Sequence, residues 1–192
     1  HSLTKYIGGH GTSIGGIIVD GGNFDWIKDR KRQPLLNEPD QSYGGAVWAD
    51  AVPQLTGANI PFVIRLRVVL LRDLGAPLSP FNAFQIIQGL ETVGLRMKQH
   101  CSNAEKVVSF LETQKKVTNV IYPTNHQGEI KDRALRYMKG GYGSLVGMDV
   151  GTKENGAKFI DNLKMLYHVA NIGDARSLAI HPATTTHSQL ND

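Results

Sequence analysis

Cysteine and long apolar runs are scarce in this chain. Its 192 residues include one cysteine, Cys101, which excludes an internal disulfide bond and a multi-cysteine metal site. The longest apolar stretch, residues 62–71, is interrupted by Arg65 and Arg67, so we expect no membrane-spanning helix. A single cysteine also fits proteins that are kept in a reducing compartment. These shortages together predict a protein of the cytoplasm that has no membrane partner.

Concentrated positive charge is lacking as well. The chain carries 21 lysines and arginines against 17 acidic residues, a formal net charge of +4, and the charges are spread along it. The densest basic patch, residues 28–32, contains Asp29. Nucleic-acid binding requires a basic stripe within a recognisable module, so we expect no nucleic-acid partner. A metal site is not expected either, because the spacing of His10, His181 and His187 suits none and no cysteine or carboxylate joins them.

The chain also lacks an initiating methionine and a signal peptide. It opens on His1, and its first residues have no apolar core segment of the kind that a secretory signal requires. We therefore expect further sequence upstream. The composition, 41% hydrophobic and 20% charged with 21 glycines, is that of a globular protein able to bury a core.

The clearest structural signal is a helix over residues 79–112. Ser79-Pro80 supplies a good N-cap and then a proline at the first helical position, where its missing N–H would be unpaired in any case. Apolar residues recur at helical spacing along the whole segment. We predict one long helix with one buried face, kinked near Gly89 or Gly94, that joins two domains. Cys101 lies on that face and is expected to be an inert core residue.

Shorter elements of both kinds surround this helix. The predicted strands lie at residues 16–19, 117–122, 144–150, 168–172 and 177–180, and the further predicted helices at residues 61–74, 130–138 and 153–166. Such alternation predicts an α/β fold, in which helices cover one face of a sheet.

The candidate site is the segment around Lys5. A lysine amine can form a Schiff base with a carbonyl group, and the hydroxyls of Ser2 and Thr4 can turn toward an anion such as phosphate. The glycines that follow allow the backbone to approach a ligand closely. The same features also belong to a surface lysine before a turn, so on their own they leave both interpretations open.

Three motifs, in order along the chain, resemble the Cys/Met-metabolism family of pyridoxal-phosphate (PLP) enzymes. They correspond to the family's cofactor-attachment motif, its interdomain helix and its late active-site segment. They read Ser2-Leu3-Thr4-Lys5-Tyr6-Ile7-Gly8-Gly9-His10, then Leu78-Ser79-Pro80-Phe81-Asn82-Ala83-Phe84 with Gly89-Leu90-Glu91-Thr92 and Leu95-Arg96, and finally Ala170-Asn171-Ile172-Gly173-Asp174 with Ser177-Leu178 and His181-Pro182-Ala183-Thr184-Thr185-Thr186-His187-Ser188. The glycine-rich form of residues 10–22 is similar to the O-acetylhomoserine sulfhydrylase branch of the family.

The resemblance implies a fold and a division of the chain. The implied fold is the PLP-dependent transferase fold, an α/β fold also called fold type I or aspartate-aminotransferase-like. Residues 1–78 would form the end of the large cofactor-binding domain, residues 79–112 the interdomain helix, and residues 113–192 most of the small α/β domain.

It also implies roles for individual residues. Lys5 would hold PLP as a Schiff base and carry protons during the reaction. Ser2 and Thr4 would bind the cofactor phosphate together with the Lys5 segment. Ser177 and Thr186 would contact the amino-acid substrate, Ser177 at its carboxylate.

The implied reaction replaces the acetate of O-acetylhomoserine with sulfide or methanethiol, which gives homocysteine or methionine. A γ-lyase on the same scaffold and a non-catalytic fragment stay open as alternatives. In the family, the aspartate and the aromatic residue that hold the cofactor ring lie upstream of this segment, and the arginine that binds the substrate carboxylate lies beyond Asp192. We therefore expect the chain to be inactive without an amino-terminal companion, and the complete enzyme to be a tetramer.

Overall fold

Two compact units make up the chain in its computed structural model, which describes residues 1–190. The first unit contains His1 with Gly16–Pro80, and the second contains Ser2–Gly15 with the chain from Phe81 onward. The segment that carries Lys5 therefore belongs to the same unit as the helices and strands that follow residue 80. The domain boundaries predicted at residues 78 and 112 concern the complete enzyme and stay a prediction.

The first unit is helical. Its helices are α1 (Pro34–Asn37), α2 (Trp48–Thr56) and α3 (Pro61–Arg65), and α3 continues into wider, π-type turns over Leu66–Asp73. This continuous segment confirms the helix predicted at residues 61–74. Helix α2 ends where Gly57 adopts a left-handed conformation, φ 70°, which glycine reaches without steric cost. The core of the unit is formed by Leu36, Trp48, Ala49 and Val52.

The buried strand predicted at residues 16–19 is wrong for this structure. Ile17, Ile18 and Val19 are 48%, 53% and 85% exposed, and no strand forms there within residues 1–190. The backbone N–H of Ile17 donates to the carbonyl of His1 at 2.9 Å. A strand needs a neighbouring strand to pair its backbone groups, and apolar spacing alone cannot supply one.

The second unit mixes helices with short strands. Its helices are α4 (Pro80–Glu91), α5 (Val93–Glu112), α6 (Gly128–Tyr137) and α7 (Lys153–Asp161), and its strands are β1 (Asn119–Ile121), β2 (Gly147–Asp149), β3 (Tyr167–His168) and β4 (Leu178–Ala179). Strand β1 pairs antiparallel with β2, and β3 pairs in parallel with β4. This order confirms the predicted alternation after residue 112, with strands shorter than predicted and with α7 ending at Asp161 instead of residue 166. Ala104 and Val108 of α5 pack with Tyr122 in the core.

The helix predicted over residues 79–112 is two helices that meet at Thr92. In an uninterrupted α-helix the carbonyl of Gly89 would accept a hydrogen bond from the N–H of residue 93. It accepts instead from the N–H of Thr92 at 3.3 Å, from Oγ1 of Thr92 at 3.4 Å and from Nη2 of Arg96 at 2.6 Å. These donors occupy the acceptor that would have continued the helix, so the break falls between the two glycines where a kink was predicted.

Within residues 1–190, no single helix is long and apolar enough to cross a membrane, while one pair bent by 101°, Trp48–Thr56 with Pro61–Asp73, has the length and composition for it when the two are taken together.

Candidate active site

Lys5 lies in a short helical segment, Leu3–Ile7, near the start of the chain. The segment is kinked at the lysine itself, whose φ of −86° and ψ of −127° are not helical. The following glycines close the turn, because the N–H of Gly8 donates to the carbonyl of Leu3 and that of Gly9 to the carbonyl of Lys5, both at 2.8 Å. Gly9 has a φ of 74°, a conformation that side-chain-bearing residues rarely adopt. The turn therefore requires glycine where the motif has it.

Helices α4 and α5 hold the backbone of this segment at very short range. A Cβ atom at Gly89 would lie 2.2 Å from the carbonyl oxygen of Gly8 and 2.6 Å from that of Ile7. From α5, Arg96 donates through Nη1 to the carbonyl of Tyr6 at 2.7 Å and through Nη2 to that of Ile7 at 3.1 Å. A glycine and an arginine from the second motif thus fix the position of the first.

A hydrogen-bonded network reaches the Lys5 amine from residues 171–176. Lys5 Nζ donates to Oδ1 of Asn171 at 3.3 Å, and Nδ2 of Asn171 donates to Oδ2 of Asp174 at 3.1 Å. Arg176 donates to Asp174 through Nε and Nη2, both at 3.1 Å, and through its backbone N–H at 2.9 Å. The network runs from a guanidinium through a carboxylate and an amide to a primary amine.

Asp174 is the buried member of this network. Its side chain is 1% exposed, whereas that of Arg176 is 52% exposed. The Arg176 guanidinium, helped by the backbone N–H of Arg176 and the amide of Asn171, holds the pKa of the Asp174 carboxyl well below its usual range, although burial acts to raise it. The carboxylate is therefore charged at neutral pH.

Replacing Asp174 with asparagine is expected to lower the free energy of unfolding at neutral pH by about 1–3 kcal/mol, because the bonds from Arg176 lose their charged acceptor. A lowered folded-state pKa stabilises the fold above the unfolded-state pKa, about 3.9 for aspartate, and this contribution is lost as the pH falls toward the folded-state value. Chemical denaturation of both proteins at several pH values measures it. The difference between them should shrink below a pH of about 4, and a pH-independent difference would contradict the assignment.

The two hydroxyls that precede Lys5 in the motif, those of Ser2 and Thr4, have different environments. Thr4 Oγ1 accepts from the N–H of Gly15 at 3.0 Å and donates to the carbonyl of Gly15 at 3.3 Å. Ser2 is exposed and makes no capping hydrogen bond to the helical segment. Thr4 therefore shapes the glycine-rich loop, while the hydroxyl of Ser2 faces solvent.

The other predicted site residues do not bond to the lysine. The carbonyl of Ser177 accepts from the N–H of Tyr167 at 3.0 Å, which joins β3 to β4. Oγ1 of Thr186 shares a hydrogen bond with Nδ1 of His187 at 2.9 Å. Within residues 1–190, no hydrogen bond links either residue to Lys5. The structure thus brings the lysine to Asn171 and leaves Ser177 and Thr186 in their own local bonds.

The sequence interpretation assigned no role to Asn171, Asp174 or Arg176. Asn171 and Asp174 stand in the third motif, and their separation by three residues was a visible signal. The direction of their side chains was not visible, and Arg176 matched no position of the motif. Cys101 is a buried free thiol, which confirms its predicted place in the core. Across the described part of the chain, no group of three or more histidine, cysteine, aspartate or glutamate side chains has metal-binding geometry.

Comparison with known sequences identifies close relatives. The chain matches the Cys/Met metabolism PLP-dependent enzyme family over residues 1–192. O-acetyl-L-homoserine sulfhydrylase of Leptospira meyeri is 48% identical over 195 residues, which cover 99% of this chain and 44% of that protein. Homocysteine synthase of Schizosaccharomyces pombe is 43% identical over 193 residues, covering 100% of this chain and 44% of that protein. The chain therefore spans less than half the length of the curated relatives that it matches.

Comparison with solved structures identifies the fold. The crystal structure of a candidate O-acetylhomoserine (thiol)-lyase from Campylobacter jejuni, which contains a pyridoxyl-lysine monophosphate, matches with a TM-score of 0.81 and 37% identity, covering 100% of this chain and 45% of that one. Cystathionine gamma synthase from Xanthomonas oryzae pv. oryzae matches with a TM-score of 0.70 and 25% identity, covering 100% and 40%. These matches confirm the predicted PLP-dependent transferase fold. With the sequence match over residues 1–192, they show that the chain belongs to the Cys/Met-metabolism family of PLP-dependent enzymes.

Proposed function

We propose that the protein containing this chain replaces the acetate of O-acetylhomoserine with sulfide or methanethiol, and that Lys5 is its cofactor-binding lysine. The observation that carries the proposal is the Lys5 amine on its kinked glycine-rich segment, in a chain that is 43–48% identical to a homocysteine synthase and an O-acetyl-L-homoserine sulfhydrylase. The names of these relatives favour replacement over the lyase alternative. The products are homocysteine with sulfide and methionine with methanethiol.

The surroundings of Lys5 fit a PLP cofactor. Nζ has one hydrogen-bond acceptor, the neutral amide of Asn171, and no carboxylate forms an ion pair with it within residues 1–190. Such an amine can leave its partner and attack an aldehyde without breaking a salt bridge. PLP, when bound, supplies the electron sink for the reaction. Lys5 would hold the cofactor through Nζ and carry a proton on the same atom after the substrate has displaced it.

The hydroxyls of Ser2 and Thr4 fit the phosphate of the cofactor. Thr4 can keep accepting from the N–H of Gly15 while its O–H turns from the carbonyl of Gly15, a long 3.3 Å contact, toward an anion. The exposed hydroxyl of Ser2 has no such bond to give up. Both residues can therefore contact a phosphate without distorting the turn around Lys5.

Substrate binding is proposed for Ser177 and Thr186. Support comes from their place in the third motif and from the short sequence distance between Ser177 and the Asn171 network that reaches Lys5. The carbonyl of Ser177 pairs with β3, while its N–H has no hydrogen-bond acceptor within residues 1–190 and can donate to a ligand. The hydroxyl of Thr186 would exchange its bond with His187 for one to the amino acid.

The complete enzyme is proposed to include an amino-terminal segment and to act as a cytoplasmic homotetramer. The coverage of 44% of the relatives' length supports the additional segment. Exposed apolar side chains on α4, among them Phe81, Phe84 and Ile87, also support it, because they form a surface that a further segment can cover. Residues 1–192 alone are proposed to be inactive.

Product analysis of the intact protein tests this function. With PLP, O-acetylhomoserine and sulfide, homocysteine and acetate should form together, and omission of sulfide should stop homocysteine formation. A keto acid and ammonia produced equally with and without sulfide would favour the γ-lyase instead. Purified residues 1–192 serve as the comparison. Turnover by that fragment alone would contradict the need for an amino-terminal companion.

A further inference from the structure

We propose that Asn171, Asp174 and Arg176 form a positioning relay that receives the amine of Lys5 whenever this amine is not attached to the cofactor. The inference rests on the proposed function, since it takes Lys5 as the attachment residue. A lysine displaced by a substrate amine needs a defined resting position, because proton transfer is efficient only from within hydrogen-bond reach of the reacting atom.

The first step of the relay is the orientation of the Asn171 amide. Asp174 is charged and can only accept hydrogen bonds, so the donor group Nδ2 of Asn171 must face it, at 3.1 Å. The opposite end of the amide, Oδ1, then faces Lys5 Nζ at 3.3 Å. A flipped amide would set N–H groups against the amine and lose both bonds. The carboxylate thus determines which end of Asn171 the lysine meets.

The second step is the immobilisation of Asp174. Nε and Nη2 of Arg176 hold its two oxygens in a fork, and the backbone N–H of Arg176 adds a third bond. The guanidinium itself lies over the ring of Tyr167, 5.2 Å from the centroid. A Cβ atom at Gly11 would come within 3.0 Å of both Nδ2 of Asn171 and Oδ2 of Asp174, so glycine leaves room for the pair. Asp174 is therefore held by both the side chain and the backbone of Arg176.

The third step is the hydrogen bond between Lys5 and Asn171, which is weak enough for the amine to leave it. At 3.3 Å the contact between Lys5 and Asn171 is at the long end of N–H···O hydrogen bonds, and its acceptor is uncharged. Hydrogen bonds to a neutral acceptor are weaker than those to a carboxylate. Asn171 thus offers a place where the amine rests and from which it can leave, whereas an aspartate at this position would retain it.

Competitive acetylation of the intact, cofactor-free protein tests the relay. Limiting acetic anhydride labels each lysine according to its reactive fraction, and mass spectrometry compares Lys5 with the exposed Lys106 of α5. In Asn171→Ala, the relative labelling of Lys5 should rise by about three- to tenfold, because the amine loses the hydrogen bond that holds it and can meet the reagent. The control variant Asn162→Ala removes an exposed asparagine whose side chain donates to the carbonyl of Lys158, and it should leave Lys5 labelling unchanged.

Arg176 variants separate positioning from loss of structure. Arg176→Gln should reproduce part of the increase, and Arg176→Lys, which keeps a cation beside Asp174, should return labelling toward that of the wild type. Unchanged Lys5 labelling in folded Asn171→Ala and Arg176→Gln would overturn the relay, even if borohydride traps PLP on Lys5 of the wild type. Failure to trap PLP on Lys5 would overturn the proposed function and, with it, the role of the relay.

Discussion

Replacement of Lys5 with alanine should abolish covalent attachment of PLP and lower turnover of O-acetylhomoserine by about 10³-fold or more. The amine is both the attachment point and the proton carrier in the proposed reaction, and alanine can perform neither role. In the described structure no other amine has the same setting, because Lys5 alone combines the kinked turn with the bond to Asn171. Steady-state kinetics, with absorbance and mass measurements of bound cofactor, give the result.

Two further variants make the Lys5 experiment specific. Lys5→Arg keeps the positive charge but cannot form the covalent bond, so it should be as inactive as Lys5→Ala. Lys98→Ala removes an exposed lysine on α5 and should retain full activity. Substantial turnover by Lys5→Ala with PLP bound would show that another residue holds the cofactor.

Replacing Gly89 with alanine is expected to cost about 3 kcal/mol in unfolding free energy and to displace the Lys5 segment. The new methyl group would lie 2.2 Å from the carbonyl oxygen of Gly8 and 2.6 Å from that of Ile7. Both neighbours are backbone atoms, which cannot rotate away as a side chain can. Chemical denaturation measures the loss of stability, and borohydride trapping of PLP reports the displacement of the lysine.

Gly94→Ala is the matched control for this substitution. It lies only a few residues away in α5, and nothing is within 4 Å of a Cβ atom placed there. Alanine is favoured over glycine in helices, so stability should be unchanged or higher by about 0.5 kcal/mol. Equal stability of the Gly89 and Gly94 variants would show that close packing of α4 against the lysine segment is not what holds this segment.

The sequence was informative where a residue type allows few alternatives. The Ser79-Pro80 pair predicted the start of α4 at Pro80, because proline fixes φ at a value that suits the first helical position. Glycines marked the turn beyond Lys5, because they reach conformations that other residues rarely adopt. The fold was predicted from the motif around Lys5 and from the order of elements after residue 112. The relatives and the solved structures confirm that fold and the family.

The sequence was uninformative where distant groups decide the outcome. The break at Thr92 depends on Arg96 reaching back to the Gly89 carbonyl, which helical spacing does not reveal. Residues 16–19 have the composition of a buried strand, yet Ile17, Ile18 and Val19 are exposed and no strand forms there within residues 1–190, since a strand needs a neighbouring strand to pair with. The relay to Lys5 joins residues separated by 166 positions, and its existence depends on side-chain directions that only the fold defines.

The most direct test of the central claim is borohydride reduction of the intact protein in the presence of PLP, followed by digestion and mass spectrometry. The account predicts a single phosphopyridoxyl adduct on the peptide that contains Lys5, and its loss in Lys5→Arg. An adduct on a different lysine, or no adduct in a protein that nevertheless converts O-acetylhomoserine, would contradict the assignment of Lys5 as the cofactor-binding residue.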